Sequence, residues 1–473
     1  MACPHHTHVV NGLKSGLRLL FVCLVVASAA TVATGYTASD QTATATRFAE
    51  GNDVAEHRDG VTVITTDSNS WLGRGKEGPR AKAEIIAVGP DGAVQYYNDS
   101  HTRYWDVDPV AGTEMTVEYV AADHLTPEQC GGETVCTRNV VERVNLSTGE
   151  TERVFSRVTE GKHSTRWHDA DRIDEDHVVV ADIAKDRVFV VNTTTGLTTW
   201  AWSAQSEFET DESGGPYPED WTHINDVEVL SDGRIMVSIR NHDQVVFLDR
   251  ETGMLENQTL GSDGDHETLY EQHNPDYIPE SEGGPAAIVA DSENGRVVEY
   301  QRTDGEWERS WTWRDGRLQW PRDADRLPNG HTLVTDSNGN RVVEVDENGE
   351  VVWSMDVAFP YEAERLNTGD ESSGGPSAQR AGLQSETADG DEAGATATDT
   401  AGVFGAVFGV IEGLLGSTVV NAVMYVLPVW AGGPEVAAVV VAVGALVAWA
   451  GVELYWSSWR PSVDHRITIE QRD

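Results

Sequence analysis

The chain has 473 residues, with 34 Lys plus Arg against 78 Asp plus Glu and a formal charge of -44. That balance excludes a binder of nucleic acid or of an anionic lipid surface, since both would repel it. The acid is spread from Asp53 to Glu364 and does not form a tail, so it reads as a solvated surface suited to high salt.

Residues 1–40 carry an apolar run, Leu19 to Tyr36, behind Lys14 and Arg18. This is the pattern of a signal peptide or signal anchor, with Ala27 to Ala29 as a small-residue cleavage site, and it predicts export of the chain beyond Tyr36. Asn98, Asn145, Asn192 and Asn257 head glycosylation tripeptides, all between the apolar ends. Cys130 and Cys136 flank a glycine-containing spacer and form a disulfide if the domain is exported.

From residue 55 to 366 the chain carries an internal repeat. Asp169 to Asp182 and Asp323 to Asp336 share one frame, Asp226 to Ser238 repeats it, and Asn274 to Asp291 matches it more loosely. Each copy runs on into a β-branched strand starting at Arg187, Gln244, Arg296 or Arg341. A turn comes next at Gly196, Gly253, Gly305 or Gly349, then a closing strand that often holds tryptophan (Trp200, Trp202, Trp311, Trp313, Trp353). Such runs make antiparallel hairpins, and a single small sheet leaves both faces wet until copies stack radially. Two divergent units, Val61 to Tyr97 and Met115 to Phe155, precede the four clear ones. The prediction is an all-β, six-bladed β-propeller.

Residues 367–400 are rich in Gly, Ser, Thr, Ala and acid without periodicity, which predicts an acidic disordered linker. Residues 401–459 hold two apolar runs, about Val403 to Val429 and about Val436 to Trp456, read as a transmembrane helical hairpin with tryptophans at its ends. The tail, 460–473, carries Arg460, Arg466 and Arg472. Two spans after an exported domain leave these arginines outside, against the positive-inside tendency. The signal and the glycosylation tripeptides outweigh that, placing the domain on the extracellular face of the cell membrane.

With the repeats superposed without gaps, the residue just before the first strand is His168, Asn225, His273 and Arg322 in successive blades, and His223 lies two positions before Asn225. Equivalent positions converge on the axis of a propeller, so these side chains meet at one mouth of the channel, with Arg240 at the end of a neighbouring strand. The flanks repeat while this position varies among chemically capable types. Asp169, Asp226 and Asp323 recur at one position and read as backbone-bonding residues within each blade, while Asp291 and Asp336 read as turn formers. The other histidines show no such alignment, and His101 is undecided.

The segments around Trp167 to Asp171, Trp221 to Asp226, Gln272 to Asp276 and Tyr361 to Leu366 resemble the arylsulfate sulfotransferase family, most specifically in His223 and Asn225 with Arg240 downstream. The resemblance implies a six-bladed propeller enzyme that moves a sulfuryl group between an aryl sulfate and a phenolic acceptor, without a nucleotide donor, cofactor or metal. It implies His273 as nucleophile, with His168, His223, Asn225 and Arg240 around the sulfuryl group. The cysteine pair and the membrane hairpin depart from the family pattern. The run from Asp336 also resembles NHL-type repeats that only bind partners. Axial histidines of a propeller also suit a metal-dependent lyase.

Overall fold

Six antiparallel sheets succeed one another around a common axis in the computed structural model, which describes residues 4–38, 47–67, 82–132, 134–161, 165–369, 374–387, 400–457, 459–464 and 466–471. They form a six-bladed β-propeller. The innermost strands of blades two to six start each repeat: Arg103–Pro109, Arg172–Asp174 with the extended stretch before it, Ile224–Val229, His273–Ile278 and Pro321–Arg326. Blade one takes its inner strand from the other end of the domain. Pro360–Arg365 pairs with Thr62–Thr66, Val63 opposite Glu364, and closes the ring.

The core lies between blades. Val179, Val188 and Val190 of blade three pack with Ile224, Val227, Val237 and Val246 of blade four, all fully buried or nearly so. Each such side chain contributes about 1.5–3 kcal/mol. Tryptophans staple blades together: Trp200 Nε1 donates to the Arg250 carbonyl, Trp313 Nε1 to that of Gly349 and Trp353 Nε1 to that of Glu56, each at 3.0 Å.

The recurrent aspartates lining the axis also tie blades to one another, where the sequence suggested bonds within each blade. Asp323 Oδ2 accepts from the amide of Ala363 in blade one, and Asp106 Oδ2 from that of Ala170 in blade three, both at 3.0 Å. A second recurrent aspartate pairs with an arginine five residues on: Asp182 with Arg187, Asp291 with Arg296 and Asp336 with Arg341, at 2.6–2.9 Å. These are ion pairs across a hairpin, a larger task than turn formation alone. In blade four the same position holds Ile239, opposite Gln244, and Arg240 follows it.

Residues 374–387, placed by composition in the disordered linker, lie on blade five. Ser377 caps the short helix α1 (Ala378–Ala381), and Glu386–Thr387 pairs in parallel with Glu306–Arg314. Trp311 Nε1 donates to the Gln384 carbonyl at 3.0 Å. Residues 370–373 and 388–399 of the expected linker lie outside the described residues.

The expected span from Val403 to Val429 is two helices, α2 (Thr400–Leu415) and α3 (Ser417–Val426), broken at Gly416 with φ +84°. A left-handed residue ends a helix, and glycine takes it without strain. Helix α3 belongs to the propeller unit, whereas α2 belongs to a second unit with the N-terminal helix Pro4–Ala38 and the final helix Gly433–Trp456. Within that second unit the two long helices run antiparallel: Arg18 pairs with Glu453, Phe21 stacks on Trp449, and Tyr36 meets Trp430. Leu13–Thr37 and Gly433–Trp456 are long and apolar enough to cross a membrane.

Candidate active site at the channel mouth

The inner strands are irregular at their entry, and that irregularity builds the site. Ladder pairing skips Asn225 between Ile224 and Asp226, Arg322 between Pro321 and Asp323, Tyr361 between Pro360 and Glu362, and Asn274 with Pro275 between His273 and Asp276. A bulge leaves a residue unpaired and re-aims its side chain. Neighbouring positions that would face opposite sides of a regular strand therefore both face the axis. Counted back from the axial acids Asp106, Asp169, Asp226, Asp276, Asp323 and Glu362, the residue three before is Arg103, Arg166, His223, His273, Trp320 or Phe359. The residue one before is Trp105, His168, Asn225, Pro275, Arg322 or Tyr361. His273 thus shares its position with His223, and not with His168 as the gapless superposition suggested. Positive φ at His223 (48°), Trp320 (60°) and Phe359 (53°) marks the same tight entry.

The site residues do converge. The rings of His168 and His223 are 5.1 Å apart, and Tyr361 lies between the others, 5.6 Å from His168 and 6.2 Å from His273. His168 stacks on Trp105 at 4.8 Å. His168, His223, His273, Asn225 and Arg322 are all buried.

His273 Nδ1 lies 3.2 Å from the Glu271 carbonyl and 2.8 Å from Ser292 Oγ. Ser292 donates its own proton to the Pro321 carbonyl at 2.6 Å. A carbonyl only accepts, so the neutral ring carries its proton on Nδ1 and keeps the lone pair on Nε2. Nε2 is buried without a hydrogen-bond partner. His223 is held at both ends: Nδ1 donates to Asp220 at 2.8 Å, and Nε2 accepts from Arg240 Nη1 at 3.3 Å. His168 Nδ1 meets Tyr361 Oη at 3.0 Å and its Nε2 is unpartnered. Asn225 donates to the Gln272 carbonyl at 2.9 Å, leaving Oδ1 unpartnered.

Guanidinium groups surround these rings. Arg240 Nη2 lies 3.5 Å from Glu271, while Nε bonds Asn241. Arg322 lies over Trp320 at 4.2 Å and over Tyr361 at 4.9 Å, with Nε unpartnered. Arg166 lies over Trp105 at 5.5 Å, also with Nε unpartnered. Burial, then the Arg240 charge, pushes His223 down to about 4 against the pull of Asp220. Burial, then Arg322 and Arg240, holds His273 well below the ordinary imidazole range, and burial with Arg166 does the same for His168. The site is a buried, cationic pocket with neutral imidazoles in a strongly acidic protein. It fits an anion better than a metal cation, which three guanidiniums would repel.

The sequence missed Arg166, Trp105, Tyr361 and Ser292 as members of this site. The first three stand at fixed offsets before the axial acids, so superposing the repeats on those acids would have found them. Helix α3 was missed too. Its Tyr425 packs edge-on against Trp320 at 5.9 Å and against Phe359 at 5.2 Å. Its Asn421 accepts from Gln319 and donates to Glu293. The helix therefore lies across the mouth.

Cys130 and Cys136 are bonded at a Cα separation of 6.0 Å, in the connection between the second and third strands of blade two, Thr116–Leu125 and Cys136–Asn145. Asn98, Asn145 and Asn192 are half-buried and accept bonds from the amides of Ser100, Ser147 and Thr195, whereas Asn257 is exposed.

Residues 145–312 match the family model described as arylsulfotransferase (ASST). No curated protein matches the chain. Among solved structures, a putative 6-phosphogluconolactonase from Bacteroides fragilis is 14% identical over 64% of this chain and 97% of its own, with a TM-score of 0.39. The periplasmic gluconolactonase PpgL of Pseudomonas aeruginosa is 12% identical over 66% and 99%, with a TM-score of 0.40. Virginiamycin B lyase from Staphylococcus aureus is 8% identical over 63% and 86%, with a TM-score of 0.36. Likeness at that level supports no functional conclusion.

Proposed function

We propose that the propeller is a sulfotransferase moving a sulfuryl group from an aryl sulfate to a phenolic acceptor through a sulfohistidine at His273. The observation that carries this reading is the His273 ring, its proton fixed on Nδ1 by a carbonyl and its Nε2 lone pair unclaimed. In the first half-reaction Nε2 forms a bond to sulfur as the aryl S–O bond breaks and phenolate leaves with the electron pair. In the second, the acceptor phenol gives up its proton, through water, to the phenolate released in the first, its oxygen bonds to sulfur, and the S–N bond breaks, restoring the lone pair. The match over residues 145–312 supports the same class of reaction.

The surrounding groups suit an anion whose charge spreads over its oxygens. Arg322 and Arg166 face it with unclaimed N–H donors, and Arg240 is fixed against His223. His168 donates from Nε2 when Tyr361 donates to its Nδ1. Held below the usual range, His168 and His223 are neutral at neutral pH, so neither acts as the acid for the leaving phenolate. The guanidiniums stabilise that charge instead. With α3 across the mouth, substrate entry requires α3 to move.

The membrane reading changes with the fold. Leu13–Thr37 and Gly433–Trp456 as the two spans put the tail's Arg460, Arg466 and Arg472 on the side of Lys14 and Arg18. The positive-inside tendency then agrees with an extracellular propeller.

The test is transfer from 4-nitrophenyl sulfate to phenol, at high salt, by the full chain in detergent. His273→Ala is expected to lose activity by about 10³-fold or more. Full activity in that variant refutes the reading.

A further inference from the structure

Below the histidines the channel wall changes to carboxylate. Each inner strand contributes one acid to a first layer: Asp106, Asp169, Asp226, Asp276, Asp323 and Glu362. Two residues further on, Asp108, Asp171, Glu228, Asp325 and Glu364 form a second, interrupted only by Ile278. All eleven acids are buried, each with less than a tenth of its surface exposed. Several accept an amide from the next blade: Asp171 from Val229, Glu228 from Tyr277, Glu362 from Val107. Asp169, Asp226, Asp323, Asp325 and Glu362 form no ion pair with Lys, Arg or His among the described residues.

Asp276, Asp323 and Asp325 bring carboxylate oxygens within 4.8 Å of one another, deep in this wall. Three acids alone prove nothing, but two further groups beside them are orphaned. Asn274, on the strand of Asp276, is 3% exposed and reaches across the channel, its Nδ2 donating to Glu362 Oε2 at 2.8 Å. Its own Oδ1 is buried without a partner. Asp226 Oδ2, on the neighbouring blade, and Asp325 Oδ2 within the cluster accept from no N–H or hydroxyl donor, and these two carboxyls face those of Asp169 and Asp276. Unclaimed oxygens in a buried site need a donor or a cation, because each unmet acceptor costs about 1–3 kcal/mol.

We propose that this channel holds one divalent cation of the hard, oxygen-seeking class, calcium or magnesium, bound by Asp276, Asp323 and Asp325. All offered ligands are oxygen, with neither Cys nor His among them, which selects that class over zinc or copper. The cation would join the strand of His273 to the strand of Arg322, since Asp276 lies on the first and Asp323 with Asp325 on the second. Its function is to position the mouth, and it stands whether or not sulfuryl transfer is the reaction. The competing occupant is the proton, shared between carboxylates.

The experiment uses the full chain in detergent at constant high NaCl, stripped with EDTA, and titrated with CaCl₂ or MgCl₂ by calorimetry and thermal melting. Wild type is expected to take up one equivalent tightly and to melt higher on loading. Asp325→Asn and Asp323→Asn lose that equivalent and the rise in Tm, while the surface control Asp304→Asn keeps both. A stripped Asp325→Asn that melts no lower than stripped wild type shows that the loss is not misfolding. Equal uptake and equal melting shifts in wild type and Asp325→Asn overturn the proposal, as does an absence of any tight equivalent in wild type. Should protons fill the channel, the stripped protein instead loses stability steadily as pH rises and no cation restores it, which also overturns the proposal.

Discussion

Acid should inactivate this protein far less than a free imidazole would suggest. An imidazole with the ordinary value near 6.5 is only about 3% neutral at pH 5, so a mechanism depending on it slows about 25-fold between pH 7 and pH 5. Burial and nearby guanidiniums hold His273 well below that range, and His223 lies at about 4. A group titrating near 4 is still about 90% neutral at pH 5. We therefore expect kcat/KM for 4-nitrophenyl sulfate to fall by less than about twofold over that interval, since kcat/KM reports the free enzyme. Arg322→Met removes the largest charge acting on His273 while keeping its burial, so the acid limb should move upward in that variant. The assay is the initial rate of nitrophenol release against pH from 4 to 8, with phenol as acceptor. An acid limb centred near 6.5 in wild type, unmoved by Arg322→Met, refutes the electrostatic account of the site.

Other parts of the molecule give three further expected outcomes. Glu299 and Arg326 form a fully buried pair at 3.1 Å, so Glu299→Gln should cost about 3–5 kcal/mol in chemical denaturation. A loss under about 1 kcal/mol would show the pair to be unimportant. Burial opposes charge on His101, but bonds to Asp123 and Glu142 raise it to about 9. Its stabilisation, at most about 3 kcal/mol, is complete below about pH 6.5 and is lost as pH rises through 9. Denaturation of wild type and His101→Gln at pH 6.5 and 9.5 reads this, and a gap that does not shrink at high pH contradicts it. Asn421→Ala deletes two side-chain bonds that hold α3 over the mouth, about 2 kcal/mol or roughly 30-fold in the open population. Diethyl pyrocarbonate should then modify His168 and His273 faster, and an unchanged rate would mean that α3 does not control access.

The blades were legible because a half-buried strand writes its alternation directly into the sequence, and turn glycines punctuate it. The closing strand Pro360–Arg365 was legible only through the family resemblance of Tyr361 to Leu366, because its ladder partner lies almost the whole domain away. The site was legible in part. His168, His223, Asn225, His273, Arg240 and Arg322 meet, but the register of His273 was misjudged because bulges break the period-two rule where the site is built. Arg166 and Trp105 were invisible to a search for histidines, though their offset from Asp169 and Asp106 is regular. Composition misread residues 374–387: a polar, aperiodic segment still orders when Glu299 accepts the Ala378 amide and Trp311 reaches the Gln384 carbonyl. Hydropathy misread Val403 to Val429, since a window average does not register the turn at Gly416.

The central claim is a covalent sulfuryl group on His273 Nε2. Rapid quenching during turnover with excess aryl sulfate and no acceptor, and then peptide mass spectrometry under non-acidic conditions, tests it most directly. The account predicts one sulfuryl adduct on the peptide containing His273, discharged on adding phenol and missing from His273→Ala. Normal turnover with no adduct on His273, or an adduct on His168 or His223 instead, would contradict it.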